Sequence, residues 1–170
     1  MPGPIRLFVR IVDRINRAVG RVAMLLLFAM GGVQLASTFS RLFFGVPINW
    51  ALEMTQFMLA AYFLLGAAYS LQENAHVRMD LFYSRLSARQ KAITDAITIG
   101  FVIFYLIVMV RGGWSSTEYA LVYGQKNYSA WAPLMWPVKS LMTLGIILML
   151  LQAISNLCKD VATAMGRPMA

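Results

Sequence analysis

Residues 22–40, VAMLLLFAMGGVQLASTFS, run for nineteen positions without a charged side chain. A bilayer core about 30 Å thick is crossed by about 20 helical residues rising about 1.5 Å each, so this stretch is long enough to span it. Three comparable stretches follow. Residues 54–71 are preceded by Trp50 and Glu53, residues 92–110 carry only Asp95 near their start, and residues 140–157 are approached through Pro133, Pro137 and Lys139. The chain therefore reads as an all-α integral membrane protein, one membrane domain over 1–170, with transmembrane helices at about 22–40, 50–71, 92–110 and 134–157.

The basic residues orient these spans. Eleven of the fifteen Lys and Arg residues fall at the two ends of the chain and between the second and third spans. Arg41, Arg111, Lys126 and Lys139 are on the other side. The positive-inside rule then puts both termini and the central loop in the cytoplasm, which an even number of spans permits. The same distribution accounts for the net charge of +8 without nucleic acid.

Upstream of the first span, Arg6, Arg10, Arg14, Arg17 and Arg21 recur every three or four positions and draw a stripe along a helix. Ile5, Phe8, Val9, Val12, Ile15 and Val19 occupy much of the remaining surface. Residues 1–21 are expected to form a basic amphipathic helix in the inner interface, its Arg face towards anionic headgroups of membrane lipids. A plain topogenic anchor and a mitochondrial presequence are the rival readings of the same segment.

Composition narrows the chemistry. The chain is 59% hydrophobic and 13% charged, whereas a soluble domain is about a quarter charged. The one cysteine, Cys158, and the one histidine, His76, exclude an intrachain disulfide, a self-contained zinc site and a two-histidine haem site. No phosphate-binding loop or nucleotide fingerprint is present. No nucleophile, base and orienting group can be assembled, so the chain is not expected to be an enzyme or to hold a cofactor or metal.

Punctuation gives the connections. Gly45 and Pro47 mark a short turn between the first two spans, and Ser87 with Gln90 forms a capping box that starts the third helix at about Ala88. Residues 111–133 are expected to form one long outer loop with an aromatic belt of Trp114, Tyr119, Tyr123, Tyr128 and Trp131. Gly32, Ala36 and Ser40 on the first span, and Gly66 and Ser70 on the second, suit close helix packing in lipid.

Glu53, in the opening turn of the second helix, is the first candidate site residue. A helix N-terminus stabilises a carboxylate there, and Arg41 is close enough in sequence to pair with it or with a partner protein. Ion coupling is the sharper alternative. The run 73–80, ENAHVRMD, is the second candidate, with His76, Arg78 and Asp80 fixing the inner end of the second helix. Trp136 and Lys139 open the fourth helix as anchoring residues.

Trp50 with Glu53, the run ENAHVRMDLFY at 73–83, and Pro133, Trp136, Pro137 and Lys139 followed by Leu150-Leu151-Gln152 carry a further signal. In these stretches, and over almost its whole length, the chain resembles the small membrane subunit, DctQ-type, of tripartite ATP-independent periplasmic (TRAP) transporters. The resemblance implies a multi-pass protein of the bacterial inner membrane. It would scaffold a large permease subunit for ion-gradient-driven uptake of an organic acid delivered by a periplasmic solute-binding protein. It also implies that solute and ion sites lie in the large subunit. Two other functions suit the residues alone: a small homo-oligomeric ion-coupled carrier using Glu53, and a membrane anchor of a redox complex. On the subunit reading, Glu53→Ala and Arg78→Ala lower the yield of the complex and solute uptake. Unchanged values for both variants would remove both residues from the contact set.

Overall fold

The computed structural model describes residues 3–73 and 88–164, and His76, Arg78, Asp80 and the capping Ser87 lie outside them. Four helices make up the described chain: α1 (Gly3–Phe44), α2 (Ala51–Gln72), α3 (Ala88–Val122) and α4 (Trp136–Ala164). All four are long and apolar enough to cross a membrane. They run up and down. The start of α1, the end of α2, the start of α3 and the end of α4 share one end of the bundle, called here the basic end. Residues 45–50 and 123–135 close the opposite, loop end.

α4 is the helix around which the others assemble, packing on α1, α2 and α3. Of its most apolar stretch, 39% is buried within the chain, against 6% for α1 and for α3. Its sequence explains this, because Thr143, Gly145, Ala153, Ser155 and Ala162 are small and buried. Small side chains let helix backbones approach closely in lipid, where burying one apolar side chain against another gains little. At Gly145 a Cβ would lie 2.9 Å from Leu64 Cβ and 3.0 Å from its carbonyl carbon. One core joins Ala23, Leu65, Ala68 and Leu148 from α1, α2 and α4, and a second joins Leu106 to Ile146 and Ala153 across α3 and α4.

The small-residue stripes left open whether a helix of this chain or of a partner packs there, and no helix of this chain packs closely on Gly32 or Gly66. Gly32 and Gly66 have no atom within 4 Å of a Cβ built on them, and Ala36 is exposed. The close approaches within the chain are at Gly20, Gly113 and Gly145. The stripe on α1 faces outward because the buried face of that helix carries Val9, Val12, Asn16, Gly20 and Ala23.

Two segments are more continuous than the sequence suggested. Residues 5–21 are the first part of a single 42-residue helix that runs on into the first span without a break at 21. Gly20, the one residue there that could hinge, sits against the Tyr69 ring, with a Cβ built on it only 2.6 Å from Tyr69 Cγ. This half of α1 has three faces. One is buried against the bundle, a second carries the five exposed arginines, and a third exposes Leu7, Ile11, Ile15 and Val22.

Residues 111–122, expected as loop, continue α3. Gly112 and Gly113 do not end that helix, because Gly113 provides the space for Thr143, whose Oγ1 would lie 2.9 Å from a Cβ there. The helix stops at Gly124, which takes a left-handed φ of 56°. The Gln125 N–H then reaches Ala120 O at 3.1 Å, the capping arrangement that glycine permits. The start of α3 at Ala88 and the span of α2 agree with the sequence.

Gly145→Ala is expected to destabilise the bundle by about 1–3 kcal/mol, because α2 backbone must move. Gly32→Ala is expected to be neutral or stabilising by up to about 1 kcal/mol, since helix propensity improves in open space. Thermal unfolding of the two variants in detergent distinguishes them, and equal midpoints would contradict the packing assignment.

Candidate functional site

The largest fully buried side chains among the described residues are polar: Gln152, Asn16 and Ser155. They meet at the basic end. Asn16 Nδ2 donates to Gln152 Oε1 at 2.6 Å, joining α1 to α4. Gln152 Nε2 donates to Asp13 Oδ1 at 3.0 Å and to Asn156 Oδ1 at 3.1 Å. Asn156 Nδ2 donates to the Leu71 carbonyl at 2.9 Å and so brings in α2. Lys159 closes the cluster on Asp13 Oδ2 at 2.7 Å, with Ser155 Oγ 3.4 Å from Oδ1.

The direction of this chain of bonds follows from charge. An ionised carboxylate only accepts, so Gln152 must present Nε2 to Asp13 and therefore Oε1 to Asn16. Asn16 then presents Nδ2 inward, and its Oδ1 is left without a donor among the described residues. Asp13 is thus the acid that orders the cluster, although in the sequence it looks like a stray negative charge within a basic stripe.

A second set of ties lies at the loop end. Lys139 Nζ donates to Gln125 Oε1 at 2.7 Å and lies 3.5 Å from the Ser116 carbonyl, so its ammonium holds the α3–α4 connection. Asn127 N–H donates to Pro133 O at 3.0 Å and Met135 N–H to Gln125 O at 2.9 Å, beside an antiparallel bridge between Lys126 and Leu134. Asn127 Nδ2 donates to Glu53 Oε2 at 3.3 Å, fastening this connection to the first turn of α2. Deeper, Thr117 Oγ1 and Thr143 Oγ1 are 3.0 Å apart across α3 and α4.

Set against the sequence candidates, Glu53 is half-buried and held by Asn127. Arg41 is exposed and makes no ion pair with it among the described residues. The pairing proposed from their nearness in sequence is not made within the chain, because the turn through Gly45 leaves Arg41 on the exposed surface of α1. Trp50 supplies the carbonyl that accepts the Met54 N–H at 3.0 Å, and Trp136 begins α4 with its ring partly exposed. Lys139 is a tie rather than a free anchor.

Sequence reasoning missed Asp13, Asn16, Gln125, Asn127, Ser155 and Asn156. One signal was available: Gln152, Ser155, Asn156 and Lys159 fall at helical spacing on one face of an otherwise apolar helix. Among the described residues, no group of His, Cys, Asp and Glu is placed to hold a metal ion.

These features describe a membrane bundle in which buried amides and hydroxyls tie helix to helix. A family model described as "Tripartite ATP-independent periplasmic transporters, DctQ component" matches residues 30–163. The chain belongs to the DctQ family. The match takes in the outer part of α1, all of α2 and α3, and α4 almost to its end. The chain is also similar to the C4-dicarboxylate TRAP transporter small permease protein DctQ of Vibrio cholerae, with 29% identity over 94 residues. That stretch is 54% of this chain and about two fifths of the length of the relative. Membership and the four apolar helices make this a multi-pass inner-membrane protein, in a family that is a transporter component.

Gln152→Leu should leave Asn16 Nδ2 and Asn156 Oδ1 without their partner inside the bundle, while Asp13 keeps Lys159 and Ser155. Each stranded group costs about 1–3 kcal/mol. Asn16→Leu combined with Gln152→Leu should recover part of that loss, because both ends of the short bond become apolar. A double-mutant cycle on detergent unfolding midpoints tests this, and strictly additive losses would argue against a coupled cluster.

Proposed function

We propose that this chain is the small membrane subunit of a TRAP-type secondary transporter and acts as a fixed scaffold for a large permease subunit. In this reading an organic acid, delivered by a periplasmic solute-binding protein, is taken up by the permease at the expense of an ion gradient. The observation that carries the proposal is the family match over residues 30–163 on a bundle whose buried polar side chains tie helix to helix. A moving or solute-binding element would need polar groups open to exchange with solute or ions. Here Gln152, Asn156 and Glu53 are already engaged by other residues of the chain.

The basic end is proposed to face the cytoplasm. The exposed arginines Arg6, Arg10, Arg14, Arg17 and Arg21 support this by the positive-inside rule. They line one face of the α1 extension beside exposed Leu7, Ile11 and Ile15, a combination suited to the anionic inner membrane surface. His76, Arg78 and Asp80, in the connection between α2 and α3, would be on the same side, and Arg41, Trp50 and Trp136 on the periplasmic side.

Purification of the tagged chain from its native membranes in mild detergent should yield a complex with a much larger multi-span protein. Native mass spectrometry gives its stoichiometry. Liposomes containing this chain alone should transport no organic acid, whereas the complex with the binding protein should. Uptake by the isolated chain, abolished by Glu53→Gln, would replace the scaffold reading with an ion-coupled carrier.

A further inference from the structure

Between the loop-end halves of α3 and α4 lies an open groove of about 530 Å³, lined almost wholly by apolar atoms, with Trp114, Leu121, Val122, Leu144 and Ile147 on its walls. A smaller hollow of about 290 Å³ shares Trp114 and Glu118 with it and extends along α3 past Ser115 to Arg111. Arg111 and Glu118 are seven positions apart on α3, which puts both on one face, about 10 Å apart along the axis. Both are exposed, and among the described residues neither makes an ion pair or hydrogen bond. Both also lie on the candidate span Ile97–Val122, towards its loop end. An ionised side chain on the outer surface of a membrane helix is costly unless an opposite charge or a hydrogen-bonding group meets it.

These facts restrict what can cover the groove. The headgroup of a phospholipid holds its charges next to each other, so it reaches one of two groups separated by two helical turns. A second copy of this chain, paired through the same face about a two-fold axis, is disfavoured by sign. Copies inserted in the same orientation pair about an axis along the membrane normal, which sets Arg111 opposite Arg111 and Glu118 opposite Glu118. Like charges placed face to face oppose association. A different polypeptide with the charges reversed meets both groups at once.

We infer that this groove is the docking face for a transmembrane helix of the large permease subunit. That helix presents an acidic side chain at the level of Arg111 and, about two turns nearer the loop end, a basic or amide side chain to Glu118. The inference rests on the scaffold reading and adds to it a face, a register and a charge pattern. The apolar walls between the two charges receive the body of the helix, and Trp114 supplies the large rigid contact that interface centres favour.

The test uses the full-length chain co-expressed with its large partner. Arg111→Glu and Glu118→Arg should each reduce recovery of the complex about tenfold or more, because a desolvated charge then meets its like. The isolated variants should keep the unfolding midpoint of the parent chain, since neither side chain has a contact within it to lose. A photo-crosslinking residue at Leu121 or Leu144 should couple to the large subunit, whereas one at Phe28, on the exposed face of α1, should not. A complex that survives both reversals, or that crosslinks from Phe28 and not from the groove, overturns the docking face and leaves the scaffold reading intact. Crosslinks from the groove to phospholipid overturn it in favour of a lipid occupant. Failure of the parent chain to form any complex defeats the scaffold reading itself and the docking face with it.

Discussion

The bond between Asn16 and Gln152, ordered by the Asp13 carboxylate and closed by Lys159, is the constraint on which the basic end of this bundle depends. Lipid is as apolar as leucine, so packing apolar side chains together does not by itself choose which helices become neighbours. Hydrogen bonds between side chains that would otherwise face hydrocarbon do choose. Here one connected cluster reads across α1, α4 and α2 through Asn16, Gln152, Asn156 and the Leu71 carbonyl. The partners lie up to about 140 positions apart in sequence, so the cluster can form only once all three helices are in place.

The loop end is held by different means. There α3 and α4 meet through Gly113, Thr117 and Thr143, and the short connection between them is closed by Lys139 and Gln125. Asn127 carries that connection to Glu53 on α2. With both ends tied, α4 is held in the middle, while α1 and α3 turn most of their surface outward. The result is an interior tied at both ends and a large outer apolar surface on α1 and α3.

The composition gives the class of protein, and the structure changes where its interesting residues lie. Glu53 stood out because a lone acid at a span boundary is unusual, and it proves to be a tie to a loop residue, Asn127, seventy-four positions away. Asp13 attracted no attention because it is one acid among five arginines, yet it orders the buried cluster. Gly32 and Gly66 suited close packing by their spacing, but the close contacts within the chain are at Gly20, Gly113 and Gly145. Spacing reports which residues share a helix face and does not report what that face meets.

The sequence by itself determined four apolar helices, the bounds of α2 and the start of α3. Each of these depends on local quantities: hydropathy over about 20 residues and the capping pattern at a helix start. The tertiary structure alone decided that α1 runs unbroken through residue 21, that α3 continues to Val122, that α4 is central, and that Asn16, Asp13 and Gln152 share a site. Those outcomes turn on which surfaces touch. A glycine can end a helix or admit a neighbour, and a buried amide can hydrogen-bond to any partner within reach. Only the packed arrangement of the helices selects between them.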